Sequence, residues 1–203
     1  MLQEDLFLAS PSQTGRKSEV LWALPYVVSL AQDVLSGPEY IEAETTAVYL
    51  VRTKQLHDAA MKRLIGLVAP PPKHPLSEAQ EALKGLPRFT RGAIQYLGEY
   101  IELLVRAWCF ELTGDAASKS RSLGANIRRL KPKKLGTPEE LVDQLQRYNS
   151  FLYTPAKHDF TIFKGQRHRF TAREAVLVAY ITMKLAERIM ELSSAARLQA
   201  IAF

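Results

Sequence analysis

The 203-residue sequence predicts an all-α fold, a helical bundle of five or six helices with at most one small β-hairpin near the C-terminal helix. Apolar residues recur at helical spacing in several long segments. Capping residues, glycines and prolines bound these segments as helix starts and stops. The strand-like stretch is confined to about Phe160–Phe170, where two short apolar pieces flank Lys164-Gly165-Gln166.

The chain is short enough to form one domain, which we place at residues 18–203 after a loose lead-in of residues 1–17. Ser18 can cap a first helix, Glu19–Leu35. Pro25 lies inside that segment, so the helix is predicted to be kinked or to start later.

A second, long helix is predicted over Glu39–Val68, because its apolar residues fall on one stripe. Residues 69–75 contain three consecutive prolines, which exclude a helix and predict an extended connector. Ser77 and Gln80 have capping-box spacing and predict a short helix that ends at about Lys84.

Leu86-Pro87 separates this short helix from a third long one, Phe89–Leu112, which Gly114-Asp115 is expected to end. Its residues predicted to face inward are Ala93, Leu97, Tyr100, Leu104, Trp108 and Leu112. Ala116–Leu130 is predicted to be a shorter basic helix, and Lys131–Gly136 a basic loop.

The C-terminal third contains two further helix starts. Thr137 is the predicted N-cap of a helix with Pro138 at its first position. Pro155 is expected to end or kink that helix, because proline has no N–H to donate and clashes with the preceding turn. Thr171, with Glu174 completing a capping box, predicts a last helix that extends to about Arg197.

Charge is distributed unevenly along the sequence. The chain has 27 basic and 21 acidic residues, a net charge of +6 and a pI near 9.4. Lys119–Lys134 contains seven basic residues and no acid, and Lys157–Arg173 contains five against Asp159 alone. These two basic segments thus carry +11, and the rest of the chain carries −5.

Such an asymmetry favours a polyanionic partner, most simply RNA or DNA. The alternative is a solvated basic surface without a partner. The predicted nucleic-acid-binding residues are Arg128, Arg129, Lys131, Lys133, Lys134, Arg167 and Arg169.

Several classes of protein do not fit the composition. The apolar runs are too short for a membrane span, and the acidic first residues do not resemble a secretory signal. The single cysteine, Cys109, favours a cytoplasmic location. Motifs for nucleotide, zinc or serine-hydrolase sites are absent, so we predict no cofactor and no metal, although His158, Asp159 and His168 could share a metal across the hairpin.

Side chains that could transfer protons or bind phosphate are most concentrated around Pro155. A histidine can transfer protons at neutral pH, and cations beside it can hold a phosphate. With RNA, the 2′-hydroxyl supplies the nucleophile, so a base, an acid and cations suffice. The candidate catalytic residues are Arg147, Asn149, Lys157 and His158, with Tyr153 nearby. The alternative is that Lys157, His158 and Asp159 only anchor a bend.

Geometry sets a condition on this candidate site. Arg147 and His158 are eleven residues apart, which on an unbroken helix corresponds to about 16 Å of rise. The two side chains can meet only if Pro155 folds the chain back or if a second subunit contributes its copy.

A helical bundle with a basic surface and with Arg147, Asn149 and His158 near a helix break resembles the HEPN superfamily. Its members are small all-α domains, often dimeric, and many are metal-independent ribonucleases in toxin–antitoxin, phage-defence and CRISPR systems. The resemblance implies that Arg147 and His158 correspond to the Arg and His that active members pair across a dimer interface. In this sequence ten residues intervene rather than four to six, and Tyr148 follows the arginine.

Arg52 and His57 fit the family's spacing better, but the helical wheel places His57 on an apolar stripe, which favours a buried core histidine. The resemblance therefore implies either a divergent ribonuclease or a HEPN-like fold without catalysis. The second alternative is a helical interaction module with a protein partner in a defence or toxin–antitoxin complex.

Overall fold

The structure, a computed structural model, describes residues 23–35, 75–130, 135–158, 162–163, 166–167 and 170–201. The predicted lead-in, the second helix and the Arg52–His57 pair lie outside these residues. Within them the chain is all-α, which confirms the predicted fold class. The described helices of eight or more residues are α1 (Ala23–Val34), α2 (Pro75–Lys84), α3 (Thr90–Thr113), α4 (Leu123–Leu130), α5 (Glu139–Tyr148) and α6 (Ala172–Ile201).

Shorter elements connect these helices. A 3₁₀ turn, Ala116–Lys119, precedes α4. A π-helical turn (Asn149–Tyr153, the π turn) and a last α-helical turn (Thr154–Lys157, the terminal turn) continue α5. Strands β1 (Ile162–Phe163) and β2 (Gln166–Arg167) form the small antiparallel hairpin that the sequence predicts.

Helix α3 is the centre of the bundle. It packs against α2, α4, α6, the π turn and the terminal turn. Its predicted inward residues are buried, apart from the partly buried Leu112. Other faces of α3 are buried as well, including Ile94, Ile101 and Val105, as expected for a helix with neighbours on several sides.

Two helix ends follow the sequence closely. Gly114 ends α3 in the left-handed conformation (φ 65°), and its N–H donates to the Phe110 carbonyl at 2.8 Å. Thr171 and Glu174 form the predicted capping box at the start of α6. The Thr171 N–H donates to Glu174 Oε2 at 2.5 Å, and the Glu174 N–H donates to Thr171 Oγ1 at 3.2 Å.

The starts of α2 and α5 differ from the predictions. Helix α2 begins at Pro75, so Ser77 lies inside the helix and does not cap it. Helix α5 begins at Glu139 with Pro138 as its N-cap. The Thr137 hydroxyl instead donates to the Leu130 carbonyl at 2.5 Å and so joins the end of α4 to the start of α5.

The prediction of one helix over Ala116–Leu130 is wrong. Asp115 caps the 3₁₀ turn by accepting the Ala117 N–H at 2.9 Å. A new helix then starts after Ser122, whose carbonyl accepts the N–H groups of Ala125 and Asn126. Serine favours the N-cap position of a helix, which explains why a second helix begins after Ser122.

Pro155 acts differently from the prediction, whereas the prediction for Pro25 stays open. Helix α1 is described from Ala23, and the earlier residues of the predicted helix lie outside the described part of the chain. Pro155 does not end the α5 segment, because the terminal turn continues to Lys157. The backbone departs from α geometry just before Pro155, in the π turn. In a regular α-helix residue 155 would donate its N–H to the Phe151 carbonyl. Proline has no N–H and its ring would clash with that carbonyl, so the helix widens there.

Candidate nucleic-acid interface

Asp115, which precedes the first basic segment (Lys119–Lys134), neutralises part of the charge of that segment. Asp115 Oδ2 lies 2.8 Å from Arg121 Nη1 and 2.7 Å from Arg129 Nη2. The hydrogen bond from the Ala117 N–H, followed by that from Arg121, lowers the pKa of the Asp115 carboxyl. Lys119 lies over the Phe110 ring, with Nζ 4.0 Å from its centroid.

Arg128 differs from these neighbours. Its side chain is exposed and forms no ion pair or hydrogen bond within the described ranges. A Cβ placed on Gly124 would lie 3.9 Å from Arg128 Nη1 and 3.1 Å from Asn149 Nδ2. The Asn149 amide, from the π turn, also has no side-chain hydrogen bond to a described residue. The Arg128 and Asn149 side chains therefore both lie within 4 Å of one point above Gly124 on α4, which places two groups rich in N–H donors on the same surface.

Most of the other predicted nucleic-acid-binding residues lie outside the part of the chain that the structure describes. Lys131, Lys133, Lys134 and Arg169 lie outside the described residues, and Arg167 belongs to β2. Lys131, Lys133 and Lys134 follow α4 directly in the sequence. They thus continue the segment that carries Arg128.

Lys157 belongs to a polar cluster that the sequence does not predict. Its Nζ lies 2.9 Å from the Tyr153 hydroxyl oxygen and 3.5 Å from Glu102 Oε2. The Tyr153 hydroxyl donates to Glu102 Oε2 at 2.5 Å, and Arg106 forms an ion pair with Glu102 Oε1. Glu102 is only 4% exposed. These partners supply the hydrogen bonds and opposite charges that a buried carboxylate needs.

Lys157 is the most exposed member of the cluster. The Lys157 side chain is 40% exposed, whereas Tyr153 is buried. Burial, followed by the hydrogen bond to Glu102, raises the pKa of the Tyr153 hydroxyl well above its usual range. Tyrosine is therefore the neutral donor to Glu102, and the Lys157 ammonium group is the part of the cluster most open to an anion.

Gly98 allows Tyr153 to take this position. A Cβ on Gly98 would lie 2.0 Å from Tyr153 Cδ2, so the ring rests directly on the backbone of α3. The π turn supplies Tyr153, and α3 supplies both Gly98 and Glu102. The sequence contains a partial signal for the cluster, because Glu102–Arg106 and Tyr153–Lys157 are both i,i+4 pairs on helices.

The structure does not bring Arg147 and His158 together within one chain. Arg147 Nη2 forms an ion pair with Asp33 Oδ2 of α1 at 2.6 Å. His158 follows the terminal turn in an extended conformation with its side chain exposed, and its N–H donates to the Thr154 carbonyl at 3.1 Å. Since the backbone between them stays helical, roughly 16 Å of helical rise separates the two residues.

Comparisons with family models, with curated proteins and with solved structures found no match to this sequence. The HEPN resemblance therefore stays a prediction. In the part of the chain that the structure describes, no helix has both the length and the apolar character needed to cross a membrane. Asp159 and His168, two of the three residues considered as metal ligands, lie outside that part.

Proposed function

We propose that this protein binds RNA through the surface formed by α4 and the π turn, together with Lys131, Lys133 and Lys134. The observation that carries this proposal is the placement of Arg128 and Asn149 on the same surface above Gly124. Guanidinium and amide N–H groups are common donors to phosphate oxygens. Neither side chain is held by a described protein partner, so both can serve a bound strand.

A comparison with the neighbouring arginines supports the choice of Arg128. Arg121 and Arg129 share Asp115, and a phosphate would have to compete with that carboxylate for them. Arg128 has no such competitor among the described residues. We therefore assign phosphate contact to Arg128 first.

Binding of a fluorescent RNA at several salt concentrations tests the proposal. Arg128→Ala should weaken binding and lower the slope of log affinity against log salt by about one unit, since one phosphate contact is lost. Arg121→Ala removes the same charge from a residue already paired with Asp115, so its effect should be smaller. Equal effects of the two variants would contradict the assignment to Arg128.

RNA cleavage without a metal is the second candidate function, and Lys157 supports it. The Glu102–Tyr153 pair holds the Lys157 ammonium at the surface, one residue before His158. In this proposal His158 transfers a proton, and Lys157 stabilises the charge that develops on the phosphate. The chain would act in the cytoplasm as a homodimer, with Arg147 supplied by the second copy and Asn149 holding the strand.

A further inference from the structure

Two charged clusters in the described part of the chain are built alike, because in each of them two cations share one carboxylate. The first is the polar cluster, and the second, the Asp115 cluster, consists of Asp115, Arg121 and Arg129. In the polar cluster, Arg106 pairs with Glu102 Oε1, and Lys157 Nζ lies 3.5 Å from Glu102 Oε2. Each carboxylate offsets only one of its two cations, so each cluster keeps one positive charge that can attract an anion.

Arg106 joins the two clusters. Its Nη2 pairs with Glu102, and its Nε donates to the Arg121 carbonyl at 2.9 Å. The N–H groups of a guanidinium form one rigid, planar fork, so they reach only groups that lie close together. The polar cluster therefore directly adjoins the backbone at Arg121, two residues before α4 begins.

Asn149 provides a second, independent connection. It begins the π turn, and the last residue of that turn, Tyr153, donates to Glu102. The Asn149 Nδ2 lies 3.1 Å from the point above Gly124 that the Arg128 guanidinium also approaches. The π turn thus contacts α4 through Asn149 and the polar cluster through Tyr153. Both clusters and Arg128 border one region between α3, α4 and the π turn.

A nucleic-acid strand fits this arrangement better than a single phosphate does. A cation that already shares a carboxylate gains little from one phosphate, since the two anions compete for it. A strand presents a series of linked phosphates, so several such contacts form together and their effects accumulate.

We infer that one RNA strand contacts Arg128 and Lys157 at the same time, with its phosphates following the two clusters. This inference rests on the proposed RNA binding and specifies its ligand as an oligonucleotide rather than a mononucleotide. It also extends the binding surface to Lys157, the residue that precedes His158.

Removing the charge of Lys157 tests the inference in the full chain. Lys157→Met keeps an unbranched side chain, and the slope of log affinity against log salt should fall by about one unit. Combined with Arg128→Ala, the decrease should reach about two units on the same RNA. Lys84→Met is the matched control, because Lys84 pairs with Glu81 on α2 and belongs to neither cluster. Its salt slope should equal that of the unmodified protein.

Acetylation of lysines, followed by mass spectrometry, tests the same contact without a substitution. Saturating RNA should remove most of the reactivity of Lys157, whose side chain is 40% exposed in the free protein. Lys84, with a side chain 66% exposed, should stay reactive. This measurement uses the unmodified protein, so it holds even if melting curves show that Lys157→Met is poorly folded.

The results separate this inference from the proposed function. If the unmodified protein binds no RNA at any salt concentration, both fail. If RNA binding depends on Arg128, while bound RNA leaves Lys157 fully reactive and Lys157→Met keeps the unmodified salt slope, only the inference of one shared strand is overturned.

Discussion

Gly98 is the residue on which the position of the π turn most directly depends. Any side chain there would overlap the Tyr153 ring, because the added Cβ would lie 2.0 Å from Tyr153 Cδ2. Gly92, on the same helix, has space for a Cβ, whose nearest neighbour would be Tyr96 Cε2 at 3.9 Å. The two glycines therefore form a matched pair for substitution.

Gly98→Ala should lower the free energy of unfolding by about 1–3 kcal/mol, because the Tyr153 ring or the backbone must move. Gly92→Ala should leave it unchanged or raise it by up to about 1 kcal/mol, since alanine favours helix. Urea denaturation of both variants measures the difference. A Gly98→Ala variant as stable as Gly92→Ala would contradict the close contact between α3 and the π turn.

Tyr153 gives the protein a predictable response to alkaline pH. Burial raises the pKa of its hydroxyl above the ordinary value of 10.0, so the folded protein keeps a proton that the unfolded chain loses. The stability linked to this proton is fully present below about pH 10 and is lost as the pH rises further. Tyr148, buried and bonded to Thr182, also has a raised pKa.

Tyr153→Phe should therefore reduce the decline in stability above about pH 10, while the contribution of Tyr148 remains. Unfolding midpoints in urea, measured from pH 8 to pH 11 for both proteins, compare the two slopes. An identical alkaline decline in the variant would mean that Tyr153 is not the buried donor to Glu102.

At the scale of the element, Asp115 limits how basic the first basic segment, Lys119–Lys134, is. It pairs with two arginines of that segment and also caps the 3₁₀ turn. Asparagine can replace aspartate as a cap but not as a charge partner. Asp115→Asn should therefore release Arg121 and Arg129 without removing the turn.

The expected result is tighter RNA binding with a steeper salt dependence, by up to about two phosphate contacts. Glu139→Gln is the control, because it changes the net charge equally and Glu139 has no ion pair among the described residues. Salt titrations of both variants measure the effect. An equal gain for the two would show that overall charge, rather than the released arginines, sets the affinity.

Helix ends were predictable from the sequence where one local interaction decides them. Gly114 and the Thr171–Glu174 box are such cases, because each satisfies backbone groups within one turn. Thr137 does not cap α5 as the sequence predicts, since its hydroxyl donates to a carbonyl of another helix. Ser77 lost its capping role because α2 starts at Pro75.

The candidate site was predictable only in part. Residue type and local charge indicate three of its members as candidate functional residues, namely Lys157, Asn149 and Arg128. Glu102 was not identified, because its contact with Tyr153 joins residues 51 positions apart. Local charge also does not predict the neutralisation of Arg121 and Arg129, since Asp115 lies just before the acid-free segment Lys119–Lys134. Such pairings depend on how helices pack, which periodicity does not specify.

At the scale of the whole molecule, α1 and α3 hold the two ends of the α5 segment. Arg147 pairs with Asp33 of α1, whereas the terminal turn is joined to α3 through Arg91 and Lys157. The chain therefore keeps Arg147 and His158 apart. If both take part in RNA cleavage, they must come from different copies, as in an interface between two identical subunits.

Mixing two inactive variants tests this arrangement. Arg147→Ala and His158→Ala should each lower RNA cleavage by about 10²–10⁴-fold. A mixture of the two should recover part of the activity, because one of the shared sites in a mixed dimer contains both native residues. Two inactive variants that stay inactive after subunit exchange would exclude a shared site, and an unmodified protein that cleaves nothing would favour the non-catalytic interaction module.

RNA affinity measured against salt concentration tests most directly whether the first basic segment, Lys119–Lys134, binds a polyanion. The unmodified protein should bind RNA with log affinity that falls linearly as log salt rises. Changing Lys131, Lys133 and Lys134 to Glu should abolish binding at moderate salt while the helical circular dichroism spectrum stays unchanged. An unmodified protein without salt-dependent affinity for RNA or DNA would contradict the claim and leave the basic segment as a solvated surface.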